Sequence, residues 1–101
     1  MRVISGKARG TSLFSLEGSH TRPTTDRVKE AMFSIINFYL YDALVLDLFA
    51  GSGALGIESL SRGARKCVFV ENSRAAADVV RKNLEKTHEN ILTPFRHYNI
   101  I

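Results

Sequence analysis

The stretch that most constrains this chain is Asp47-Leu48-Phe49-Ala50-Gly51-Ser52-Gly53-Ala54-Leu55-Gly56. An apolar run, Ala43 to Phe49, precedes it, and a helix-forming segment from Ala54 to Arg62, stopped by Gly63, follows it. Gly51, Gly53 and Gly56 therefore satisfy G-x-G-x-x-G between a predicted strand and a predicted helix, with Glu71 ending the next strand 20 residues after Gly51. Glycines in such a turn let the backbone bend sharply and approach a ligand with no Cβ in the way. A carboxylate at the end of the second strand accepts from both hydroxyls of a ribose. Strand, turn, helix, strand and carboxylate in that order point to an adenosine-containing ligand.

The neighbouring segments extend the pattern. Ala43–Phe49 and Lys66–Glu71 are nearly continuous apolar runs, the pattern of parallel strands buried on both faces. Ser73 is placed to cap a helix running through Ala76, Ala77, Val80 and Leu84 to about Lys86. The result is a βαβα unit with right-handed crossovers and a parallel sheet. Upstream, Thr21-Arg22-Pro23-Thr24-Thr25-Asp26 starts a helix, since proline holds the chain extended, threonine caps and Asp26 suits the helix dipole. Val28, Ala31, Met32, Ile35, Ile36 and Tyr39 recur at helical spacing and predict a helix over residues 25–39 with that stripe facing the core and Phe33 at its flank. Val3-Ile4 and Leu13–Leu16 flank Ser5-Gly6-Lys7-Ala8-Arg9-Gly10 as a β-hairpin with a basic turn. Its amides, Lys7 and Arg9 suit a phosphate backbone, and a plain solvated turn fits the same residues. Residues 87–101 show no clear period, and their Ile-Ile ending reads as an interruption.

Charge chooses among ligands for the turn. Asp47 lies at the end of the first strand, where it would repel a pyrophosphate by about 4 kcal/mol at ~4 Å and an effective dielectric near 20. S-adenosylmethionine (AdoMet) carries a sulfonium and an ammonium and no phosphate, so Asp47 favours it over a nicotinamide dinucleotide. A carboxylate that merely caps the turn's own amides is compatible with either. Basic groups cluster on both sides of this site: six Lys and Arg in residues 1–30, none in 31–60 and eight in 61–101. Such flanks suit a polyanion, and also an ordinary solvated surface.

The remaining composition narrows the class. With 45% hydrophobic and 24% charged residues, the chain is neither disordered nor collagenous. It holds no apolar run of the roughly 20 residues needed to span a bilayer. A single cysteine, Cys67, excludes an internal disulfide and a zinc cluster built on cysteine, and reads as a small buried hydrophobe. His20, His88 and His97 lack metal-ligand spacing, so no metal site is expected. With no signal peptide at the N-terminus, the expected compartment is the cytoplasm.

Residues Thr21–Glu30 followed by Asp47–Gly56 closely resemble the RsmD-type family, and so does the opening Met1–Gly10. The resemblance covers residues 1 to about 86. These bacterial enzymes methylate the exocyclic N2 of a guanine in 16S ribosomal RNA with AdoMet. The resemblance implies that Asp47 and the turn Phe49, Ala50, Gly51, Ser52 and Gly53 bind the methionine part of AdoMet, that Glu71 binds the ribose, and that Asn72 lies beside the adenine. Arg22 and Thr24 would close over the cofactor, and Lys7 and Arg9 would contact RNA in the small ribosomal subunit. The family's catalytic signature, Asp or Asn followed by Pro-Pro and an aromatic residue, is absent, because Pro23 and Pro94 are the only prolines.

The resulting expectation is an α/β fold: a partial Rossmann-like AdoMet-dependent methyltransferase core over residues 21–101, preceded by a β-hairpin extension over 1–20. The chain would hold the cofactor half of the enzyme, without catalytic residues of its own. A non-catalytic RNA- or partner-binding half-domain, prone to associate through an exposed sheet edge, and an NAD(P)-binding unit are the alternatives.

Overall fold

The structure, a computed structural model, describes residues 1–15, 26–48, 50–90 and 98–101. Helix α1 (Asp26–Ile36) runs into a 3₁₀ turn (Asn37–Tyr39) and is followed by β1 (Leu44–Leu48), α2 (Ala54–Ser61), β2 (Lys66–Val70), α3 (Arg74–Asn90) and β3 (Tyr98–Ile100). The three strands form one parallel sheet in the order β1-β2-β3, with Asp47 opposite Phe69 and Cys67 opposite Tyr98. Since the order advances in one direction, two crossovers of the same hand put α2 and α3 on the same face. That face is the core: Cys67 and Phe69 of β2 are buried against Ala54, Ile57 and Leu60 of α2 and Val80 and Leu84 of α3.

The opposite face of β1 is open, which corrects the expectation of a strand buried on both sides. Leu44, Leu46 and Leu48 are 73%, 61% and 57% exposed, whereas Asp47, pointing the other way, is buried. An unbroken apolar run suits a strand that avoids water on both faces. It does not say that these residues supply both covers.

Helix α1 differs in a second way. Val28, Ile35 and Tyr39 of the predicted core stripe are exposed, and Lys29 and Phe33 are buried instead. The cause is polar. Lys29 Nζ donates to the Arg2 carbonyl at 2.6 Å and pairs with Glu58 of α2 at 3.0 Å, both side chains being fully buried. One turn further on, Phe33 packs its ring under the Arg62 guanidinium, 4.8 Å from the ring centre. Ion pair and ring contact together dock α1 by a face that hydrophobic periodicity does not mark.

The N-terminal segment forms a minimal hairpin, with an antiparallel bridge between Arg2 and Ser12 and bonds from Val3 N–H to the Thr11 carbonyl and from Leu13 N–H to the Met1 carbonyl. Val3, Ala8 and Leu13 enter the same core cluster as Ile57 and Val80. The hairpin loop lies against the C-terminal end of α2: Lys7 N–H donates to the Ser61 carbonyl, and Ala8 N–H to Ser61 Oγ, which donates to the Ser5 carbonyl.

Gly56 shows how tightly α2 sits on the sheet. A Cβ there would run into the Phe69 ring and the Cys67 sulfur. Gly56→Ala is therefore expected to lower stability by about 1–3 kcal/mol, the usual range for overpacking, as a shift of the urea midpoint with unchanged slope. Helix α3 extends four residues beyond the expected Lys86, and β3 has no counterpart in the sequence expectations. Its three residues are too few to show a period. They are a strand because β2 pairs with them and because Tyr98 meets Phe69 edge-on at 6.4 Å.

Candidate functional site

The C-terminal ends of β1 and β2 meet at the glycine turn. Ala50 N–H donates to the Val70 carbonyl, and Gly53 N–H closes the turn on the Ala50 carbonyl. Gly53 caps α2 with φ of +82°, a left-handed conformation that suits glycine, and it offers no side chain to the helix amides. Asp47 supplies what is missing. Its Oδ2 accepts from Gly56 N–H at 3.1 Å, from beneath the turn, so a strand carboxylate satisfies an otherwise orphan amide in the first turn of α2.

Asp47 is unusual for a carboxylate. Burial pushes its carboxyl from 3.8 up to about 6, the Gly56 amide opposes the rise, and the nearby Glu71 charge adds to it. The same burial, with Asp47 alongside, pushes the Cys67 thiol up to about 12, so Cys67 is no nucleophile. Glu71 completes the anionic rim. Its Oε1 accepts from Gly51 N–H at 2.8 Å and its Oε2 from Ser73 N–H at 3.0 Å, which ties the turn to the start of α3. Two carboxylates thus converge on the turn, one beneath it and one beside it. That arrangement attracts a cation and repels a phosphate.

Beyond Glu71 opens a cleft of about 430 Å³ lined by Glu71, Asn72, Arg74, Ala77, Ile100 and Ile101, among others. Its volume falls within the ordinary range of small-molecule sites. Among the expected site residues, Asp47, Ala50, Gly51, Ser52, Gly53, Glu71 and Asn72 therefore share one end of the sheet. Phe49, Arg22 and Thr24 lie outside the described residues. Lys7 and Arg9, both exposed, belong to the hairpin loop at the other end of α2. An eight-residue helix, about 12 Å long, separates that loop from the glycine turn. No group of three His, Cys, Asp or Glu suited to a metal occurs among the described residues.

Besides Lys29, two fully buried polar residues with long-range partners have no counterpart in the sequence expectations. Glu58 anchors Lys29, Arg62 and the amides of Ile4 and Ser5. Asn83 of α3 reaches both Ser52 of the turn and Phe14 of the N-terminal segment. Asn83 was detectable in principle, because it falls on the stripe formed by Ala76, Val80, Leu84 and Thr87. A polar side chain in that position has to find partners inside.

The sequence profile of a family described as "Conserved hypothetical protein 95" matches residues 1–99. The chain belongs to this family, that of the RsmD-type methyltransferases. It is 53% identical over 85 residues to YlbH of Bacillus subtilis, covering 84% of this chain and 46% of that protein. Ribosomal RNA small subunit methyltransferase D of Escherichia coli is 45% identical over 84 residues, covering 83% and 42%. The solved structure of Escherichia coli yhhF superposes over all of this chain and 51% of its own, with a TM-score of 0.79 and 36% identity. The fold of the RsmD-type chain is accordingly a partial Rossmann-like methyltransferase core, as its sequence led one to expect. The chain spans less than half the length of the curated relatives it matches.

Proposed function

We propose that this chain is the cofactor-binding portion of an AdoMet-dependent methyltransferase acting on the exocyclic N2 of a guanine in 16S ribosomal RNA, in the cytoplasm. The observation that carries the reading is the pair of carboxylates at the glycine turn, Asp47 below and Glu71 beside it. The donor set fits AdoMet: an anionic seat for its cationic methionine end, a ribose acceptor in Glu71 and a cleft with Asn72, Ile100 and Ile101 for the base. When bound, AdoMet supplies an electrophilic methyl on a sulfonium, already a good leaving group. The chain's own residues hold and orient. Asp47 and the turn from Phe49 to Gly53 would hold the methionine end and Glu71 the ribose, and the family resemblance gives Arg22 and Thr24 a place over the cofactor. Most of the rate would come from alignment of amine and methyl, for which the family uses the Asp/Asn-Pro-Pro-aromatic signature missing here. The 101 residues are therefore expected to bind AdoMet without transferring methyl.

The test is calorimetry with AdoMet and with NAD, joined to transfer of radioactive methyl to small ribosomal subunits. Binding of AdoMet in preference to NAD, with no transfer above a protein-free control, is the expected result. Preference for NAD would overturn the cofactor assignment, and methyl transfer by the chain alone would overturn the half-enzyme reading.

We assign RNA contact to the N-terminal hairpin loop, through Lys7 and Arg9. Replacing both by alanine is expected to weaken binding of a 16S rRNA transcript and to reduce its salt slope by about 1–2, leaving AdoMet affinity intact. Filter binding at several salt concentrations measures both.

One observation favours a second reading, a half-domain completed by another polypeptide segment or a second copy. The open face of β1, with Leu44, Leu46 and Leu48, adjoins a sheet edge that carries no strand among the described residues. Sedimentation as a compact monomer with a cooperative melt would count against it.

A further inference from the structure

The N-terminal segment and the glycine turn meet at one buried side chain. Asn83 is fully buried on α3. Its Oδ1 accepts from Phe14 N–H at 2.7 Å, and its Nδ2 donates to the Phe14 carbonyl at 3.0 Å and to the Ser52 carbonyl at 2.8 Å. A primary amide has two N–H donors and one carbonyl, so both of its donors are committed, one on each side. Toward Phe14 the side chain behaves like a neighbouring strand, giving to the carbonyl and taking from the amide. Toward the turn it holds the carbonyl between Gly51 and Gly53.

The segment it grips runs the length of α2. Near its start, Ile4 and Ser5 donate to Glu58 and the loop rests on Ser61, while Phe14 reaches the glycine-turn end through Asn83. Lys86, one turn along α3 from Asn83, lies over the Phe14 ring at 4.7 Å. Phe14 is thus held twice, by its backbone through Asn83 and by its ring through Lys86. Only the first hold touches the turn.

We propose that Asn83 is a positioning residue that couples the glycine turn to the N-terminal segment, so that a ligand seated on the turn and RNA held by the hairpin strengthen one another's binding. The choice of ligands rests on the function proposed above, but the coupling is testable without them. A displaced Phe14 backbone drags the Asn83 amide, and the Ser52 carbonyl then loses its donor or follows it. A buried amide with every donor committed has no slack to absorb the shift.

The test uses amide hydrogen exchange of the full chain by NMR, with Leu84 reporting global opening. Phe14→Ala removes the half-exposed ring but no bond to Asn83. It is expected to speed exchange at Gly51 and Gly53 by about threefold or more relative to Leu84, an effect of the size seen between coupled neighbours. In an Asn83→Asp background, which keeps the acceptor and loses both donors, the same Phe14 substitution should leave the turn's exchange unchanged. Turn exchange indifferent to Phe14→Ala, or equally sensitive in both backgrounds, would overturn the proposal. Should Asn83→Asp fail to fold, Asn83→Ala, which also lacks both donors, serves as the second background with the same two outcomes. In a ligand arm, saturating S-adenosylhomocysteine should slow exchange at Phe14 in the native chain, and binding without that protection would also overturn the coupling. Failure of S-adenosylhomocysteine to bind while Phe14→Ala still loosens the turn would sink the cofactor assignment and uphold the coupling.

Discussion

Replacing Glu58 with alanine is expected to lower the unfolding free energy by about 3–5 kcal/mol, the range for removing one partner of a buried ion pair. The carboxylate lies inside the protein, with Lys29 at 3.0 Å and Arg62 at 2.8 Å, and it accepts from the amides of Ile4 and Ser5. Burial would push its carboxyl up, but the Ile4 amide, Arg62 and Lys29 together hold it below the usual carboxylate range. Alanine leaves the Lys29 ammonium without its counter-charge, and two backbone amides lose their acceptor. A domain of this size has about 5–15 kcal/mol of stability in all, and the variant should melt about 12–40 °C below the native chain. Glu58→Gln separates the contributions. It retains one acceptor oxygen, enough for one of the two amides, so it should lose less than alanine, through the weakened hold on the two cations and the amide left without an acceptor. Urea unfolding of both variants measures the difference, and an alanine variant within about 1 kcal/mol of the native chain would show that the network contributes little.

Asp47→Asn is expected to do the opposite to stability while impairing the site. In the folded chain the Asp47 carboxyl rises from 3.8 to about 6, so the native state binds a proton more tightly than the unfolded state does. Stability from this group is fully present below about pH 4 and is lost as pH rises through about 6. At neutral pH the ionised carboxylate is therefore a liability of up to about 3 kcal/mol, taking 1.36 kcal/mol for each pH unit. Asparagine removes the charge and keeps an oxygen for the Gly56 amide, so the variant should gain about 1–3 kcal/mol at pH 7 and nothing near pH 4. AdoMet affinity should fall about tenfold or more, because the cation loses a partner within the protein. In the native chain, affinity should also decline below about pH 6 as Asp47 takes up its proton, and the asparagine variant should lack that decline. Improved dinucleotide binding by Asp47→Asn would instead favour the NAD(P) alternative. A residue that lowers stability while it raises affinity, as Asp47 is expected to do, is kept for function.

These two residues show what kinds of information a linear reading reaches. The glycine turn and Glu71 were legible because their chemistry is local: tight-turn residues, a helix start and a carboxylate at the end of the next strand. Asp47 was legible as a charge beside the turn, and even its alternative role, capping the turn's own amides, is seen in its bond to Gly56. Glu58 was not legible, since a glutamate amid Ile57, Ser59 and Leu60 looks like an ordinary helical residue. Apart from Arg62 one turn on, its partners Lys29, Ser5 and Ile4 lie 29, 53 and 54 residues away. Asn83 finds Phe14 at a separation of 69. No window of sequence contains such pairs.

The sequence by itself determined the order of elements from β1 to α3, the turn and the sign of the charge beside it, because backbone conformation and formal charge depend on the residues nearest in the chain. The tertiary structure decided which face of α1 is buried, that three residues after α3 become a strand and that one face of β1 is left open. It also decided that a lysine and a glutamate lie in the interior. Burial is a property of what arrives from elsewhere in the chain. An apolar stripe on α1 was outcompeted by an ion pair whose partner, Glu58, lies on another helix 29 residues downstream of Lys29.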